Sequence, residues 1–270
     1  MKILRLRGVS ILIDRQSPYF AHDRTAIFQV LFAGNYDRLL ESISEGDVVI
    51  DAGANIGCFT LLAARKVGAR GLVIAIEPGP NNYKRLKSNV EINGFKNVIL
   101  VREALDRESK DSRLFREGGV DGQFDENGDI SVRTTTLGEL LKRQSIRKMS
   151  CIKMDIEGAE ELVFQESDID AIISEVDSIA MEIHSENVMK LIRDKLREHN
   201  FSVSSVSTEG RFILNLIRQT VRHPIIAIGL YGTHLSSVAL RVVSDRFGRH
   251  CGHFEMGIVY ATKTIPRSNH

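Results

Sequence analysis

Five short apolar runs recur along the chain, and most of the segments between them have the spacing of helices. The runs are rich in β-branched residues and occupy 48–51, 72–77, 98–102, 151–155 and 178–183. They lack the alternation of apolar and polar residues that is typical of a sheet with one solvent-exposed face. Both faces of the sheet are therefore expected to be covered by other elements. Strands that alternate with helices in this way indicate an α/β fold with a doubly wound, mostly parallel sheet.

The ends of two helices can be placed from single residues. Pro80 suits a first helical turn and Asn93-Gly94 a helix end, so the spacing predicts a helix between them. A further helix is expected to begin near Ser185, whose side chain could cap it.

An N-terminal extension is predicted to precede the repeating pattern. Residues 1–45 are expected to form a hairpin around Arg7-Gly8 and a short helix at 25–33. The remaining residues, 46–270, are predicted to form the main domain.

Two segments of the main domain break the pattern. Residues 105–147 are rich in glycine and are expected to form a loop or small hairpin with a short helix at 136–141. Residues 211–253 are expected to be a helical insertion between strands at 201–206 and 256–263.

Positive charge is concentrated in this insertion, which holds six arginines and one acid, Asp245. Such a segment could contact an anionic acceptor, such as a phosphorylated sugar, a lipid-linked glycan or nucleic acid. It could equally be a solvated helical pair or the contact of a homodimer. Its three aromatic residues are not interleaved with the arginines as a base-stacking surface requires.

Overall charge and cysteine content limit the classes of partner. The formal net charge is +1, so no overall field favours nucleic acid or an anionic membrane. The three cysteines are far apart and odd in number, which argues against a disulfide framework. No apolar stretch reaches the roughly 18 residues of a membrane span, and charges interrupt the N-terminal apolar residues. We therefore expect a soluble, cytoplasmic protein without a membrane span.

The first of the five runs leads into a glycine-containing turn, Asp51-Ala-Gly53-Ala-Asn55-Ile-Gly57, that opens a predicted helix. Glycine permits a tight turn and a close approach of a ligand to the backbone. Glu77 ends the next run, where an acid is placed to accept the hydroxyls of a ribose. The unit therefore predicts a cofactor that contains a nucleoside.

The same turn favours one class of nucleoside cofactor over another. Dinucleotide enzymes carry G-x-G-x-x-G, whereas Asn55 stands here at the second glycine. Asp51, two residues before Gly53, suits a cationic or amino-bearing group better than a pyrophosphate. S-adenosylmethionine carries an ammonium and a sulfonium and no phosphate, so it is the favoured cofactor over a nicotinamide dinucleotide.

Two longer blocks, GDVVIDAGANIGCFTLLAA at 46–64 and CIKMDIEGAEELVF at 151–164, extend this interpretation. In this order they resemble the FkbM-type methyltransferases, a branch of the class I S-adenosylmethionine-dependent enzymes. The resemblance implies a Rossmann-like, seven-stranded sheet and O-methylation of a hydroxyl on a sugar, glycan or small metabolite. One residue departs from the family pattern, since similar sequences often carry an acid where this chain has Gly138.

Carried over by position, the resemblance also implies a cofactor site. The glycine-containing turn would surround the methionine end, the acid after the second run would meet the ribose, and Glu103 and Ala104 would lie near the adenine. The cofactor-binding set that it implies is Asp51, Gly53, Ala54, Asn55, Gly57, Glu77, Pro78, Glu103, Ala104 and Asp155.

Charged residues close the fourth run, where Lys153, Asp155 and Glu157 alternate. Ligands of open α/β sheets collect beyond the carboxyl ends of the strands, so Asp155 or Glu157 could orient the acceptor or take its proton. Both acids could instead pair with Lys153 or cap the next helix, and Glu160 is interpreted as a solvated or first-turn helix acid.

Glu182 and His184 close the fifth run and are expected to point toward the same crevice. A neutral histidine can accept a hydroxyl proton near pH 7, although it could also hydrogen-bond locally. The predicted catalytic set is Asp155, Glu157 and His184. These acids could also bind magnesium or calcium, but their spacing matches no known metal motif, so no metal site is predicted.

Three other functions stay open from the sequence. The arginine-rich insertion would suit an RNA or DNA methyltransferase, and the turn would also suit a nicotinamide oxidoreductase. A protein that binds S-adenosylmethionine without catalysis is the third.

Overall fold

The structure is a computed structural model that describes residues 2–116, 123–183, 185–206 and 257–264. Two predictions therefore lie outside the described residues, the helical insertion at 211–253 and the position of His184.

A seven-stranded sheet forms the centre of the molecule, in the order β12-β13-β11-β10-β3-β4-β5. Its strands in chain order are β3 (Val48–Ala52), β4 (Leu72–Ile76), β5 (Val98–Val101), β10 (Met149–Met154), β11 (Val176–Ile183), β12 (Phe201–Val206) and β13 (Gly257–Lys263). The pairs from β11 to β5 are parallel, and β13 runs antiparallel to both of its neighbours. The predicted doubly wound, mostly parallel sheet is confirmed, and each of the five apolar runs is one of its strands.

Helices and two smaller sheets surround this sheet. The helices are α1 (Phe20–Ile27), α2 (Asp37–Ser42), α3 (Cys58–Val67), α4 (Pro80–Asn93), α5 (Leu137–Arg143), α6 (Glu160–Phe164), α7 (Ile169–Ser174) and α8 (Glu186–Glu198). Side chains that alternate along the central strands enter two separate hydrophobic cores, as Val49 and Ile50 do, because successive side chains of a strand point to opposite faces. None of the helices in the described ranges is long and apolar enough to cross a membrane.

The predicted ends of α4 are confirmed, and those of α8 are confirmed in part. Pro80 opens α4, and Gly94 follows its last residue with a φ of +70°, a left-handed conformation that glycine adopts without a steric penalty. Helix α8 begins directly after Ser185, but the side chain of this serine makes no capping hydrogen bond.

The N-terminal segment differs from its prediction in one element. The expected hairpin is present as β1 (Lys2–Leu6) and β2 (Val9–Ile13), which pair in antiparallel fashion. The helix expected at 25–33 instead begins earlier as α1 and continues as a π-helical turn, Phe28–Phe32. The segment is tied to α4, since the N–H of Leu12 donates to Oδ1 of Asn89 at 2.8 Å.

The glycine-rich stretch at 105–147 is more regular than expected. It contains most of a four-stranded sheet in the order β6-β9-β7-β8, built from β6 (Ala104–Leu105), β7 (Lys110–Arg116), β8 (Gln123–Phe124) and β9 (Ile130–Thr135). The side chains of Phe115 and Val132 bury a small core of their own, which stabilises strands whose sequences are too polar to form an apolar run. The expected short helix follows as α5, whose N-terminus is capped by the Thr136 hydroxyl, which accepts from the N–H of Glu139 at 3.1 Å.

Candidate active site

A cavity with a volume of about 470 Å³ lies at the carboxyl ends of the central strands. The turns after β3, β4 and β10, together with Glu182 of β11, form one side, and residues between Thr25 and Tyr36 of the N-terminal segment form the other. This volume falls within the roughly 300–1,000 Å³ that is typical of small-molecule sites.

The turn after β3 brings the backbones of two strand ends into contact. Gly53 has a φ of +75°, and a Cβ atom there would lie 1.7 Å from the carbonyl oxygen of Asp155. Gly57 also has a left-handed φ, of +95°, at the start of α3, and Asn55 has a φ of +51°. The chain therefore needs glycine at 53 so that the backbone at Asp155 can approach closely, whereas the sequence analysis expected the close approach of a ligand. Gly53, Ala54 and Asn55 line the cavity, whereas Gly57 does not.

Glu77, at the end of β4, faces the same cavity and is 5% exposed. Its Oε2 accepts a hydrogen bond from the N–H of Asn55 at 2.8 Å, and its Oε1 accepts one from the N–H of Gly79 at 2.8 Å. The acid thus fixes the turn after β3 from the neighbouring strand end.

The wall beyond Glu77 is apolar. Pro78 and Ala104 line it, and the small sheet adds Phe115 and Phe124, whose rings meet edge to face with centroids 6.4 Å apart. Sequence reasoning missed both phenylalanines, because they belong to strands that were not predicted.

Asp51 does not line the cavity. It is fully buried, and its Oδ2 accepts a hydrogen bond from the Thr60 hydroxyl. Its Oδ1 has no hydrogen bond within the described residues and lies 3.5 Å from Nζ of Lys153. Burial raises the pKa of Asp51, although Lys153 and Thr60 oppose that shift. The expectation that this carboxylate surrounds the cofactor directly therefore needs correction, since Thr60 and Lys153 hold it in the protein interior.

Lys153 is a buried cation that joins the two strand ends. Its Nζ donates to the carbonyl oxygen of Gly53 at 2.7 Å and lies 3.5 Å from Oδ2 of Asp155. Burial lowers the pKa of Lys153, but the Asp155 and Asp51 carboxylates outweigh it, so the pKa lies above its ordinary value. The predicted pairing of Asp155 with Lys153 is thus present, and Asp155 also faces the cavity.

Tyr36 reaches Asp155 from the opposite side of the cavity. Its hydroxyl donates to Oδ2 of Asp155 at 2.9 Å. Burial raises the pKa of Tyr36 well above its ordinary value, and the carboxylates of Asp155 and Glu182 raise it further. Sequence reasoning missed this residue, because no motif spacing connects it to a partner 119 positions away.

The comparisons with known proteins agree with this geometry. A sequence model described as the methyltransferase FkbM domain matches residues 51–203, more than half of the chain. The chain belongs to the FkbM methyltransferase family. The cofactor predicted from the sequence, S-adenosylmethionine, is thereby confirmed at the level of the family.

Individual relatives of this methyltransferase are distant. It is 28% identical over 165 residues to hexuronic acid methyltransferase AglP of Haloferax volcanii, covering 58% of this chain and 65% of that protein. It is 26% identical to methyltransferase 1 of Beauveria bassiana, covering 42% of this chain and 55% of that protein. The chain therefore spans less than two thirds of either relative.

The chain is also similar to one solved structure of a protein with the same family name. Methyltransferase FkbM of Methylobacillus flagellatus superimposes with a TM-score of 0.49 at 16% identity, covering 64% of this chain and 44% of that one.

The cavity of this FkbM-family chain has a donor and acceptor set that fits S-adenosylmethionine. Glu77 could accept ribose hydroxyls, and the apolar wall at Pro78 and Ala104 could face an adenine. The carboxylates of Asp155, Glu157 and Glu182 line the other end, where a sulfonium or an ammonium would be favoured by charge.

One predicted site acid, Glu103, is engaged elsewhere, and a second acid, Glu160, is also paired within the protein. Glu103 does not line the cavity, because its Oε1 accepts from Nη1 of Arg143 at 3.0 Å and its Oε2 pairs with Nη2 of the same arginine. Of the two predicted alternatives for Glu160, a solvated acid or a first-turn helix acid, the structure shows the second. Glu160 is 1% exposed, and its Oε1 accepts from the N–H of Ile156 at 3.1 Å, which closes the turn before α6.

Glu157 sits in that turn with a φ of +55° and lines the cavity beside Asp155. Within the described ranges, no group of three or more histidine, cysteine, aspartate or glutamate side chains could hold a metal ion.

Proposed function

We propose that this methyltransferase transfers the methyl group of S-adenosylmethionine to a hydroxyl of a sugar, a glycan or a related small metabolite. The name of the relative AglP, a hexuronic acid methyltransferase, supports a sugar acceptor. The polar wall supports it too, since Gln29 and Asn35 face the cavity along with the carboxylates at the strand ends. Amides and carboxylates together supply the donors and acceptors that a polyhydroxylated ring requires.

In this proposal the cofactor lies across the turn after β3. Glu77 accepts the ribose hydroxyls, Pro78 and Ala104 contact the adenine, and the backbone of Gly53, Ala54 and Asn55 faces the methionine end. Asp51 and Gly57 act indirectly, because they shape the turn from below.

Asp155 is proposed to orient the acceptor hydroxyl and to accept its proton. When bound, S-adenosylmethionine supplies an activated methyl group, so the protein mainly has to hold the acceptor in line with it. A positioned base adds roughly 10²- to 10⁴-fold to the rate. Glu157 lines the same part of the cavity, and His184 stays a predicted alternative base outside the described residues.

One observation supports this proposal above the others. Glu77 and Asp155 face a single cavity from either side of the Gly53 turn. A carboxylate that can accept hydrogen bonds from a ribose and a candidate base therefore lie on one wall. A nucleoside and an acceptor hydroxyl can then share the space between them.

The proposal is tested by incubating the protein with S-adenosylmethionine labelled in its methyl group. The acceptors are methyl glycosides of neutral hexoses and of hexuronic acids, with transfer RNA as the alternative acceptor. We expect label in a sugar, and mild alkali then separates a methyl ester, which is cleaved, from a methyl ether, which survives. Label in RNA alone, or in none of these acceptors, would contradict the proposal.

A matched pair of variants assigns the role of Asp155. Asp155→Asn is expected to lower kcat by roughly 10²- to 10⁴-fold, the contribution of a positioned base. Asp177→Asn, which changes a half-exposed aspartate of β11 that pairs with Lys148, is the control and should keep its activity. Equal activity of the two variants would remove Asp155 from the proposed mechanism.

A further inference from the structure

Tyr36 precedes the stretch that matches the family, yet it contacts the candidate base. The match covers 51–203, whereas Tyr36 lies just before α2 in the N-terminal segment. Its side chain is 2% exposed, and its ring packs edge to face against Phe59 of α3, with centroids 5.7 Å apart. The hydroxyl is therefore held in place by packing on the main sheet, independently of any ligand.

Two donors converge on one oxygen of Asp155. Oδ2 accepts from the Tyr36 hydroxyl at 2.9 Å and lies 3.5 Å from Nζ of Lys153. Oδ1 has no hydrogen-bond partner within the described residues, and about a quarter of the side chain, 24%, is exposed at the cavity. With Oδ2 held by the protein, the other oxygen is the one left for a ligand.

Tyr36 acts as a hydrogen-bond donor to Asp155 at neutral and moderately alkaline pH. Its pKa is raised first by burial and then by the nearby carboxylates, so the phenol keeps its proton at neutral and moderately alkaline pH. A neutral phenol that donates a hydrogen bond to a carboxylate fixes the orientation of the carboxylate plane.

We propose that Tyr36 is a positioning residue that orients the Asp155 carboxylate toward the transferring methyl group. The inference rests on the proposed function, since it requires the sulfonium end of the cofactor to lie near Asp155. It assigns the N-terminal segment a part in the reaction, because this segment supplies one of the two donors to Oδ2 of Asp155.

The test uses two cofactor analogues and needs no acceptor. Sinefungin carries an ammonium in place of the methylated sulfonium, whereas S-adenosylhomocysteine is neutral there. The ratio of their dissociation constants, measured by calorimetry on the full chain, reports the negative charge at that position. A general destabilisation of the fold would weaken the binding of both analogues equally and leave the ratio of their dissociation constants unchanged.

We expect Asp155→Asn to lower the preference for sinefungin by roughly tenfold or more, the effect of losing a charge-assisted contact. Tyr36→Phe should lower it by roughly two- to tenfold, the effect of losing one hydrogen bond to that carboxylate. In the Asp155→Asn background, Tyr36→Phe should have no further effect, because it acts through Asp155.

Tyr260→Phe is the matched control. This buried tyrosine also donates a hydrogen bond, but to the backbone oxygen of Asn35. We expect it to lower the free energy of unfolding about as much as Tyr36→Phe and to keep the wild-type ratio.

The outcomes separate this inference from the function on which it rests. A wild-type ratio in Tyr36→Phe, or an equal effect of Tyr36→Phe with and without Asp155, would overturn the inference alone. An unchanged ratio in Asp155→Asn would overturn it as well. Failure of the wild-type protein to bind either analogue would instead contradict the proposed function.

Discussion

The backbone N–H of Asn55 donates a hydrogen bond to Oε2 of Glu77 at 2.8 Å, which links the turn after β3 to the acid that ends β4. The peptide N–H groups of Gly53 and Ala54 both donate to the carbonyl oxygen of Ile76, at 3.0 and 2.9 Å. The turn is therefore built on the neighbouring strand, and the acid that could accept a ribose is also the one that shapes the loop.

Replacement of this acid should weaken cofactor binding. Glu77→Gln puts an amide donor where two backbone N–H groups now donate to a carboxylate. The loss of a hydrogen bond to a charged group is about 1.5–3 kcal/mol, so the dissociation constant for S-adenosylhomocysteine should rise roughly ten- to a hundredfold. Calorimetric titration measures it. Glu91→Gln, on the exposed side of α4, is the control, and equal affinities of the two variants would refute the role of Glu77.

Gly53→Ala should destabilise the protein by collision as well as by backbone strain. The added Cβ would lie 1.7 Å from the Asp155 carbonyl oxygen, at a φ of +75°. Gly94→Ala has a similar φ of +70° and no atom within 4 Å, so it reports strain alone, about 1–2 kcal/mol. We expect Gly53→Ala to lower the free energy of unfolding in urea by about 2–5 kcal/mol. A loss no larger than that of Gly94→Ala would show that the turn can move away from Asp155.

Most of the central sheet could be predicted from the sequence, because its strands are continuous apolar runs and its helices have marked ends. Pro80 and Gly94 fix α4 by local backbone chemistry alone. The π-helical turn at Phe28–Phe32 could not be predicted, since it keeps an apolar helical pattern and differs only in its hydrogen bonds. The small sheet was missed because the strand that holds Phe115 is mostly polar and depends on pairing that local sequence does not encode.

The site residues that could be predicted are those of sequence motifs that lie at the ends of strands. Glu77 and Asp155 follow buried strands, so topology alone brings them to one edge. Asp51 was expected at the same wall, but Thr60 and Lys153 hold it below the surface of the cavity. Glu103 was also expected in the site, but it pairs with Arg143 of α5 instead. The contact of Tyr36 with Asp155 was not predicted. These differences are side-chain pairings between residues remote in sequence, which spacing does not reveal.

The departure of Gly138 from the family pattern has a structural reason in Glu166. This buried carboxylate accepts from the N–H of Gly138 at 2.7 Å and from that of Leu137 at 3.1 Å. A Cβ at 138 would lie 2.6 Å from Oε1 of Glu166. A side chain at 138 and this carboxylate therefore compete for one space.

The effect of Gly138→Ala should accordingly change sign with the residue at 166. In the wild-type protein we expect Gly138→Ala to lower the free energy of unfolding by about 1 kcal/mol, because the added methyl group displaces the hydrogen bonds of Glu166. In a Glu166→Ala background we expect Gly138→Ala to raise the free energy of unfolding by about 0.5–1 kcal/mol, because alanine has a higher helix propensity than glycine. Urea unfolding of the four proteins of this cycle measures both values. Equal effects in the two backgrounds would contradict the competition.

The buried thiols should be unreactive in the folded protein. Cys58 and Cys151 are 3% and 1% exposed, and burial raises the pKa of both thiols, so almost no thiolate is present at pH 8. In a Cys251→Ser variant, we expect a disulfide reagent such as dithionitrobenzoate to react slowly at pH 8 and then completely in guanidinium. Rapid reaction of the native variant would show that one of these cysteines is accessible.

The central claim is that the cavity beside Glu77 and Asp155 binds a sulfur nucleoside rather than a dinucleotide. Its most direct test is a pair of calorimetric titrations of the wild-type protein, one with S-adenosylhomocysteine and one with NAD. We predict saturable binding of S-adenosylhomocysteine at one site per chain and no heat of binding with NAD. Binding of NAD without binding of S-adenosylhomocysteine would contradict the account.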